Sequence, residues 1–280
     1  MPVDYLVPPD LAAALEMREA GCTVLAGGTD LYPQHVGRAI SGRVVDLGGI
    51  ASLRGIAETP EGFRLGALTR WTDVAAASLP PCFDGLRAAA AEVGSIQVQN
   101  AGTVGGNLCN ASPAADGVPP LLTLDASVEL TSVRGSRQLP LESFLTGYRE
   151  TALRHDELLT AVIVPRGIED SRSAFSKLGL RRYLVISVVM VAVVASIDGE
   201  GLVSEARIAV GACSPVARRL RSLESHLRGR PLGEVGEASI AEHLAMLAPI
   251  DDVRATADYR RHAAAVLVRR ALARCEAVAA

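Results

Sequence analysis

Residues 97–116 read QVQNAGTVGGNLCNASPAAD, and the rest of the chain is organised around them. Glycines stand at 102, 105 and 106, with Asn, Ser, Thr and Asp recurring between them and little that builds a core. Glycine lets a backbone pass close to a ligand and adopt positive φ. A loop of this kind can aim several N–H groups at an anion. A shorter stretch of the same character, AGGTD, occupies 26–30. Two such stretches in one chain suggest two walls of a site for one elongated, phosphate-bearing cofactor.

Around AGGTD the pattern is strand, glycine turn, short helix: CTVLAGG (22–28) runs into TDLYPQHVG (29–37). That is the usual setting for a phosphate at a helix N-terminus. It lacks G-x-G-x-x-G, so a Rossmann unit is not expected. Upstream, Asp10 is placed to cap a helix that Gly21 stops. RVVDL (43–47) and GFRLGA (62–67) read as strands, the second preceded by the turn ETPEG (58–62). Thr72 or Asp73 can cap a helix through 79, and an alanine-rich helix over 83–93 leads into the glycine-rich loop.

Beyond that loop, 127–133 alternates in strand fashion, 139–148 reads as a strand followed by a helical turn, and 157–165 is an apolar strand. The polar segment RGIEDSRS (166–173) marks a boundary. The run 184–197 is short and β-branched, which fits a buried strand. DGEG (198–201) is a hairpin turn before a further strand. Helices follow over 215–227, 240–247 and 259–277. A meander with helices on one face is the economical reading. The expected division is a first subdomain over 1–58, a second over 59–170 and a C-terminal domain over 171–280.

Composition narrows the function. Of 280 residues, 49% are hydrophobic, enough for a packed core, and 4% are aromatic, too few for a base- or sugar-stacking platform. The net charge of −3 argues against nucleic acid as the main partner. No apolar run approaches the ~18 residues of a membrane span. The N-terminus lacks the basic and apolar regions of a signal peptide, so a cytoplasmic location is expected. Five scattered cysteines without C-x-x-C spacing read as free thiols, not as ligands of zinc or a cluster. The histidines show no metal-ligand spacing, and neither G-x-S-x-G nor a P-loop occurs. No catalytic and no metal-ligating residue is therefore assigned.

The binding chemistry rests on the two glycine-rich stretches. Backbone donors at 27–31 are expected to face a pyrophosphate, with Thr29 adding a hydroxyl. Asp30 is awkward beside phosphate and is expected to bond to loop backbone or to cap the next helix; a plain strand–helix turn explains the stretch equally well. Thr103, Val104, Gly105, Gly106 and Asn107 can present N–H groups and an amide, with Asn110 and Ser112 in the same cluster; the bland alternative is a structural Ω-loop. Asp116 is suited to ribose hydroxyls or to a helix cap before Val118. Lys177 is suited to the electron-rich end of a cofactor, and Arg181 and Arg182 to an acidic partner surface, unless SKLGLRR (176–182) is simply a solvated strand edge.

These motifs resemble the FAD-binding medium subunits of the molybdenum hydroxylases, among them those of carbon monoxide dehydrogenase and 4-hydroxybenzoyl-CoA reductase and the central domain of xanthine dehydrogenase. The matching pieces are AGGTDLYP (26–33), VGSIQVQNAGTVGGNLCNASPAAD (93–116), KLGLRR with its following IS (177–187), VGACSPVARR (210–219) and DYRRHAAAVLVRRAL (258–272). They span nearly the whole chain, and GGTD together with QNAGTVGGN is specific. The resemblance implies an α+β, PCMH-type FAD-binding fold of two α/β subdomains plus a C-terminal antiparallel sheet-and-helix domain. It implies FAD between the subdomains, its pyrophosphate at 27–30, flanked by Leu25, Ala26 and Leu31, and at 103–107. Asp116 resembles the residue on the adenosine side, and Lys177 the lysine near the isoalloxazine ring.

The family works as a heterotrimer, often doubled. A small subunit carries two [2Fe-2S] clusters and a large one carries the molybdopterin cofactor; this chain has motifs for neither. The implied role is electron transfer from the clusters to FAD and on to an external acceptor. The cysteine-rich insertion of the benzoyl-CoA reductase type is missing. Thr29-Asp30 stands where the carbon monoxide dehydrogenase type has His-Ser, which disfavours carbon monoxide as the substrate. The alternative is a stand-alone PCMH-type flavin oxidoreductase, for which no substrate cap and no histidine for covalent flavin attachment are evident.

Overall fold

The computed structural model describes residues 3–181 and 185–277. The first 53 residues build a parallel sheet. Strand β1 (Val3–Leu6), helix α1 (Leu11–Glu19), β2 (Thr23–Leu25), α2 (Leu31–Gln34) and β3 (Gly42–Asp46) follow one another, and the strands lie in the order β1-β3-β2. The expected cap is present: the Asp10 carboxylate accepts from the Ala13 amide at 2.9 Å, and Gly21 leaves the helix at φ +84°. Ala14 and Leu15 of α1 pack with Val45, Leu47, Ile50 and Leu53 in a small core of their own.

The second sheet is antiparallel. Its strands are β4 (Ile56–Thr59) and β5 (Gly62–Gly66), then, after five helices, β6 (Ser127–Ser132) and β7 (Gly135–Pro140), and later a fifth strand. The helices are α3 (Trp71–Ala76), α4 (Asp84–Glu92), α5 (Ile96–Ala101) and α6 (Val104–Asn110), with a fifth, α7 (Val118–Thr123), leading into β6. A helical turn, α8 (Leu141–Phe144), and a small ribbon, β8 (Leu145–Gly147) with β9 (Glu150–Thr151), precede β10 (Leu158–Pro165). The order is β4-β5-β10-β6-β7. Central β10 is buried along nearly its whole length, which is why its sequence is continuously apolar.

The third sheet comprises β11 (Arg172–Leu178), β12 (Val189–Ile197), β13 (Val203–Gly211) and β14 (Arg218–Arg219), in that order and antiparallel. Helices α9 (Arg221–Leu227), α10 (Glu237–Glu242) and α11 (Ala257–Ala277) follow. Val189, Val191, Val193 and Ala195 of β12 pack with Leu223, Leu227, Ala264, Val268 and Leu272 of the helices. Met190 and Ala192 point the other way, onto Ala89 of α4. Each buried Val, Leu or Met side chain here contributes about 1.5–3 kcal/mol. Arg260 of α11 is itself buried and ties this layer together, donating to the carbonyls of Val188 (2.6 Å) and Ala212 (3.3 Å) and to Asp252 (2.8 Å).

Several expectations are corrected. The third sheet is covered on both faces, by its own helices and by α4 and α7 of the preceding layer. The boundary expected at 58/59 falls inside a hairpin: β4 pairs with β5 from Ile56↔Leu65 to Thr59↔Gly62, so the change of sheet comes before Ile56. The other change of sheet lies between Pro165 and Arg172. Residues 97–116 are mostly helical, as α5 and α6. Helix α3 starts at Trp71, and Asp73 sits inside it, accepting from the Arg70 amide at 3.1 Å. The expected helix over 240–247 is the shorter α10, and the strand expected from 184 starts at Val189. Arg182 lies outside the described residues.

Candidate functional site

The two glycine-rich stretches face one another. A Cβ added to Gly27 would fall 2.0 Å from the Ala101 carbonyl oxygen. One added to Gly102 would stand 3.4 Å from Thr29 Oγ1, and one on Gly106 would stand 4.0 Å from the Ala26 methyl. The first stretch thus lies along the α5–α6 junction with no room for side chains at Gly27. Gly28 has φ +71°, and its missing Cβ would overlap the Tyr32 ring; both facts require glycine.

Between the stretches opens a cleft of about 480 Å³. Leu25, Ala26, Gly27, Gly28, Thr29, Asp30 and Leu31 line one wall. Thr103, Gly105, Gly106, Asn107 and Asn110 line the other. Its floor is apolar, with Trp71, Leu68, Leu158 and Leu159. Val104 is buried in the core beneath, and Ser112, Asp116 and Lys177 do not line the cleft.

The amides of Gly27, Gly28, Thr29 and Asp30 donate to no acceptor among the described residues. Four consecutive unpaired N–H groups at a strand–helix turn form a concave set of donors suited to phosphate oxygens. The other wall differs from expectation. The amides of Val104, Gly105 and Asn107 donate to the carbonyls of Thr69, Ala67 and Thr103 at 3.0, 2.8 and 3.0 Å. The Gly106 amide donates to Thr103 Oγ1 at 3.1 Å, so Thr103 caps α6. This wall offers shape and one side chain instead. Asn107 Oδ1 is buried and has no partner among the described residues, and a buried acceptor left unpaired costs about 1–3 kcal/mol.

The remaining assigned residues are engaged elsewhere. Asn110 Oδ1 accepts from Arg149 at 2.6 Å. Ser112 Oγ accepts from the Ala114 amide at 3.2 Å, a local turn bond. Asp30 is exposed and makes no side-chain cap to α2. Asp116 and Lys177 meet directly: Lys177 Nζ donates to Asp116 Oδ2 at 2.6 Å and to the Glu92 carbonyl at 3.2 Å, while Ser187 Oγ donates to Asp116 Oδ1 at 2.6 Å. Their side chains are 7% and 5% exposed. Burial pushes the Asp116 carboxyl above its ordinary range, and Lys177 and Ser187 oppose that. Two groups in contact cannot serve opposite ends of an extended dinucleotide, so the adenosine role implied for Asp116 and the isoalloxazine role implied for Lys177 do not hold together.

Sequence reasoning missed Trp71, Arg18 and Leu158 on the cleft. None carries a motif, and only the approach of α1, α3 and β10 brings them there. Cys109, which had no assigned role, faces the cleft. Protein surrounds it on its other sides, and that desolvation pushes its thiol up to about 12 against the opposing charge of Arg18. Among the described residues, no group of three or more His, Cys, Asp or Glu side chains could hold a metal ion, and no helix is long and apolar enough to cross a membrane.

Comparison with known proteins agrees with this architecture. Residues 1–167 match the family described as the FAD binding domain in molybdopterin dehydrogenase, and 174–275 match the CO dehydrogenase flavoprotein C-terminal domain. The two matches meet where the sheet changes between β10 and β11. The xanthine dehydrogenase FAD-binding subunit of Escherichia coli O157:H7 is 34% identical over 262 residues, covering 92% of this chain and 89% of that protein. The nicotinate dehydrogenase FAD-subunit of Eubacterium barkeri is 38% identical over 216 residues, 75% of this chain and 72% of the relative. The solved CO dehydrogenase of Oligotropha carboxidovorans contains a chain that superposes with a TM-score of 0.91 at 28% identity, over 99% of this chain and 98% of that one.

Proposed function

This chain belongs to the FAD-binding medium subunits of the molybdenum hydroxylases, and we propose that it is the electron outlet of such a complex, taking electrons from [2Fe-2S] clusters in a small partner subunit and releasing them to an external acceptor. A large partner subunit would hold the molybdopterin cofactor and the substrate, and the assembly would be a heterotrimer, doubled. The observation that carries the reading is the set of unpaired amides at 27–30, facing the α5–α6 junction across one cleft.

The residues present fit FAD. The amides of Gly27, Gly28, Thr29 and Asp30 would hold the pyrophosphate, with the Thr29 hydroxyl beside them. Asn107 lines the second wall, while its Oδ1 is enclosed beside Gly117 and is not open to the cleft. Gly105 packs against Ala67 and Gly106 against Thr103, and Leu25, Leu158 and Trp71 would exclude water from the floor. Val104 and Thr103 fix α6; Asn110 and Ser112 brace its C-terminal end. Lys177 and Asp116 act as one unit behind Val93, whose neighbour Glu92 accepts from Lys177. FAD supplies the redox chemistry when bound; the chain binds, orients and desolvates it. All five cysteines are free, in keeping with a reducing, cytoplasmic compartment.

The test is purification from the native source through an affinity tag on this chain. Copurification of two further chains, one with clusters and one with molybdopterin, is expected. A flavoprotein that turns over a small substrate alone, with no partner, would overturn the electron-outlet reading.

A further inference from the structure

Arg18 stands on the cleft wall with its guanidinium only partly engaged. It is half-buried on the last turn of α1. Nη1 donates to the Cys22 carbonyl at 2.9 Å and Nε to the Glu157 carbonyl at 3.2 Å. Those two bonds fix its plane, and no carboxylate among the described residues pairs with it. A half-buried cation held rigid, with donors to spare and no counter-charge, is built to receive an acceptor from the cleft.

Its position tells which part of a dinucleotide it meets. Cys22, which anchors it, precedes Gly27, the first of the free amides, by five residues, roughly 16 Å of extended chain. Cys109, at the far end of α6, is close enough to feel its charge. This end is lined by α1, β2, α6 and the start of β10, with Arg18 and Cys22 half-buried. The opposite end, at Val93 and Val98, carries between them in sequence the apolar Ile96, 56% exposed. An isoalloxazine ring must sit where another protein can reach it, whereas an adenosine can be enclosed.

We infer that Arg18 is a specificity residue for the adenosine half of FAD, donating from its free guanidinium N–H groups to acceptors of the adenine and ribose. The inference rests on the FAD reading of the cleft. It makes the site selective for an adenine dinucleotide over a flavin mononucleotide.

Binding of FAD, ADP and FMN to the full, flavin-depleted chain tests it, followed through the emission of Trp71, the single tryptophan. Arg18→Met is expected to weaken FAD and ADP about tenfold or more, with FMN unchanged, and Arg18→Lys to recover part of the loss. Unaltered ADP binding would overturn the inference and leave Arg18 as a clamp between α1 and β10. An equal loss for FMN would overturn it too, since Arg18 would then serve the flavin half. Should Arg18→Met fail to fold, Arg18→Gln, which keeps an uncharged donor at this position, is compared with Arg18→Lys; equal ADP affinity in the two would again overturn it. Failure of wild type to bind FAD at all would instead sink the cofactor reading.

Discussion

Lys177 and Asp116, 61 residues apart in sequence, form a buried ion pair at 2.6 Å that joins β11 of the third sheet to the segment after α6. Ser187 completes it at 2.6 Å on the other carboxylate oxygen. The pair therefore bridges the layer that carries the cleft and the C-terminal layer.

Removing one partner leaves the other buried without compensation. Lys177→Met is expected to lower stability by about 3–5 kcal/mol, and the double variant with Asp116→Asn to recover much of that. Denaturant unfolding measures both. The sign with pH follows from burial, which raises the Asp116 carboxyl in the fold. Without Lys177 only the Ser187 hydroxyl opposes that rise, so the folded state binds the proton better than the unfolded one. The penalty of Lys177→Met should then grow as pH rises above about 4 and shrink below it. A penalty independent of pH would contradict this account.

The glycines make distinct predictions. Gly27→Ala would press a methyl into the Ala101 carbonyl, and Gly28→Val would place a β-branched side chain at φ +71° against Tyr32. Each should cost more than about 1 kcal/mol of stability and weaken FAD retention. Normal retention in both would remove the first stretch from the site.

Glu157 predicts an acid limb. Arg137 donates to it at 2.7 and 2.9 Å, and this pairing lowers the Glu157 carboxyl below its ordinary range. A depressed carboxyl contributes stability that is present above about pH 4.3 and lost as pH falls through the folded value. Arg137→Met should shift the acid-unfolding midpoint to higher pH, read by circular dichroism. Because the Glu157 carbonyl also anchors Arg18, FAD affinity should fall with it.

Cysteine labelling reports on the cleft. Cys82, Cys213 and Cys275 are buried, with thiols pushed up to about 12, 11 and 12 by desolvation. Cys22 and Cys109 line the cleft. An alkylating reagent should modify only these two in the folded chain, Cys109 faster as pH rises, and FAD should protect both. Labelling of Cys109 unaffected by FAD would move the cofactor out of this cleft.

Much of the fold is legible in local chemistry. Asp10 and Gly21 bound α1 because cap and stop are read from neighbouring residues. The valine run of β12 is continuous because α4 and α11 cover both its faces, a cause that the run itself does not name. Residues 97–116 misled for a physical reason. Gly102, Gly105 and Gly106 are small because backbone and side chains of Val98, Ala67 and Thr103 lie against them, and such glycines sit equally well at helix starts. The free amides at 27–30 follow from strand and turn signals, whereas the contact of Lys177 with Asp116 depends on how two layers pack and has no local signature.

The central claim, that this cleft holds FAD, is tested most directly by the visible absorption spectrum of the chain purified alone, with the cofactor identified after acid release. A flavin band, with one FAD released per chain and lost in Gly28→Val, is the predicted result. A colourless chain that takes up no FAD on titration would contradict it.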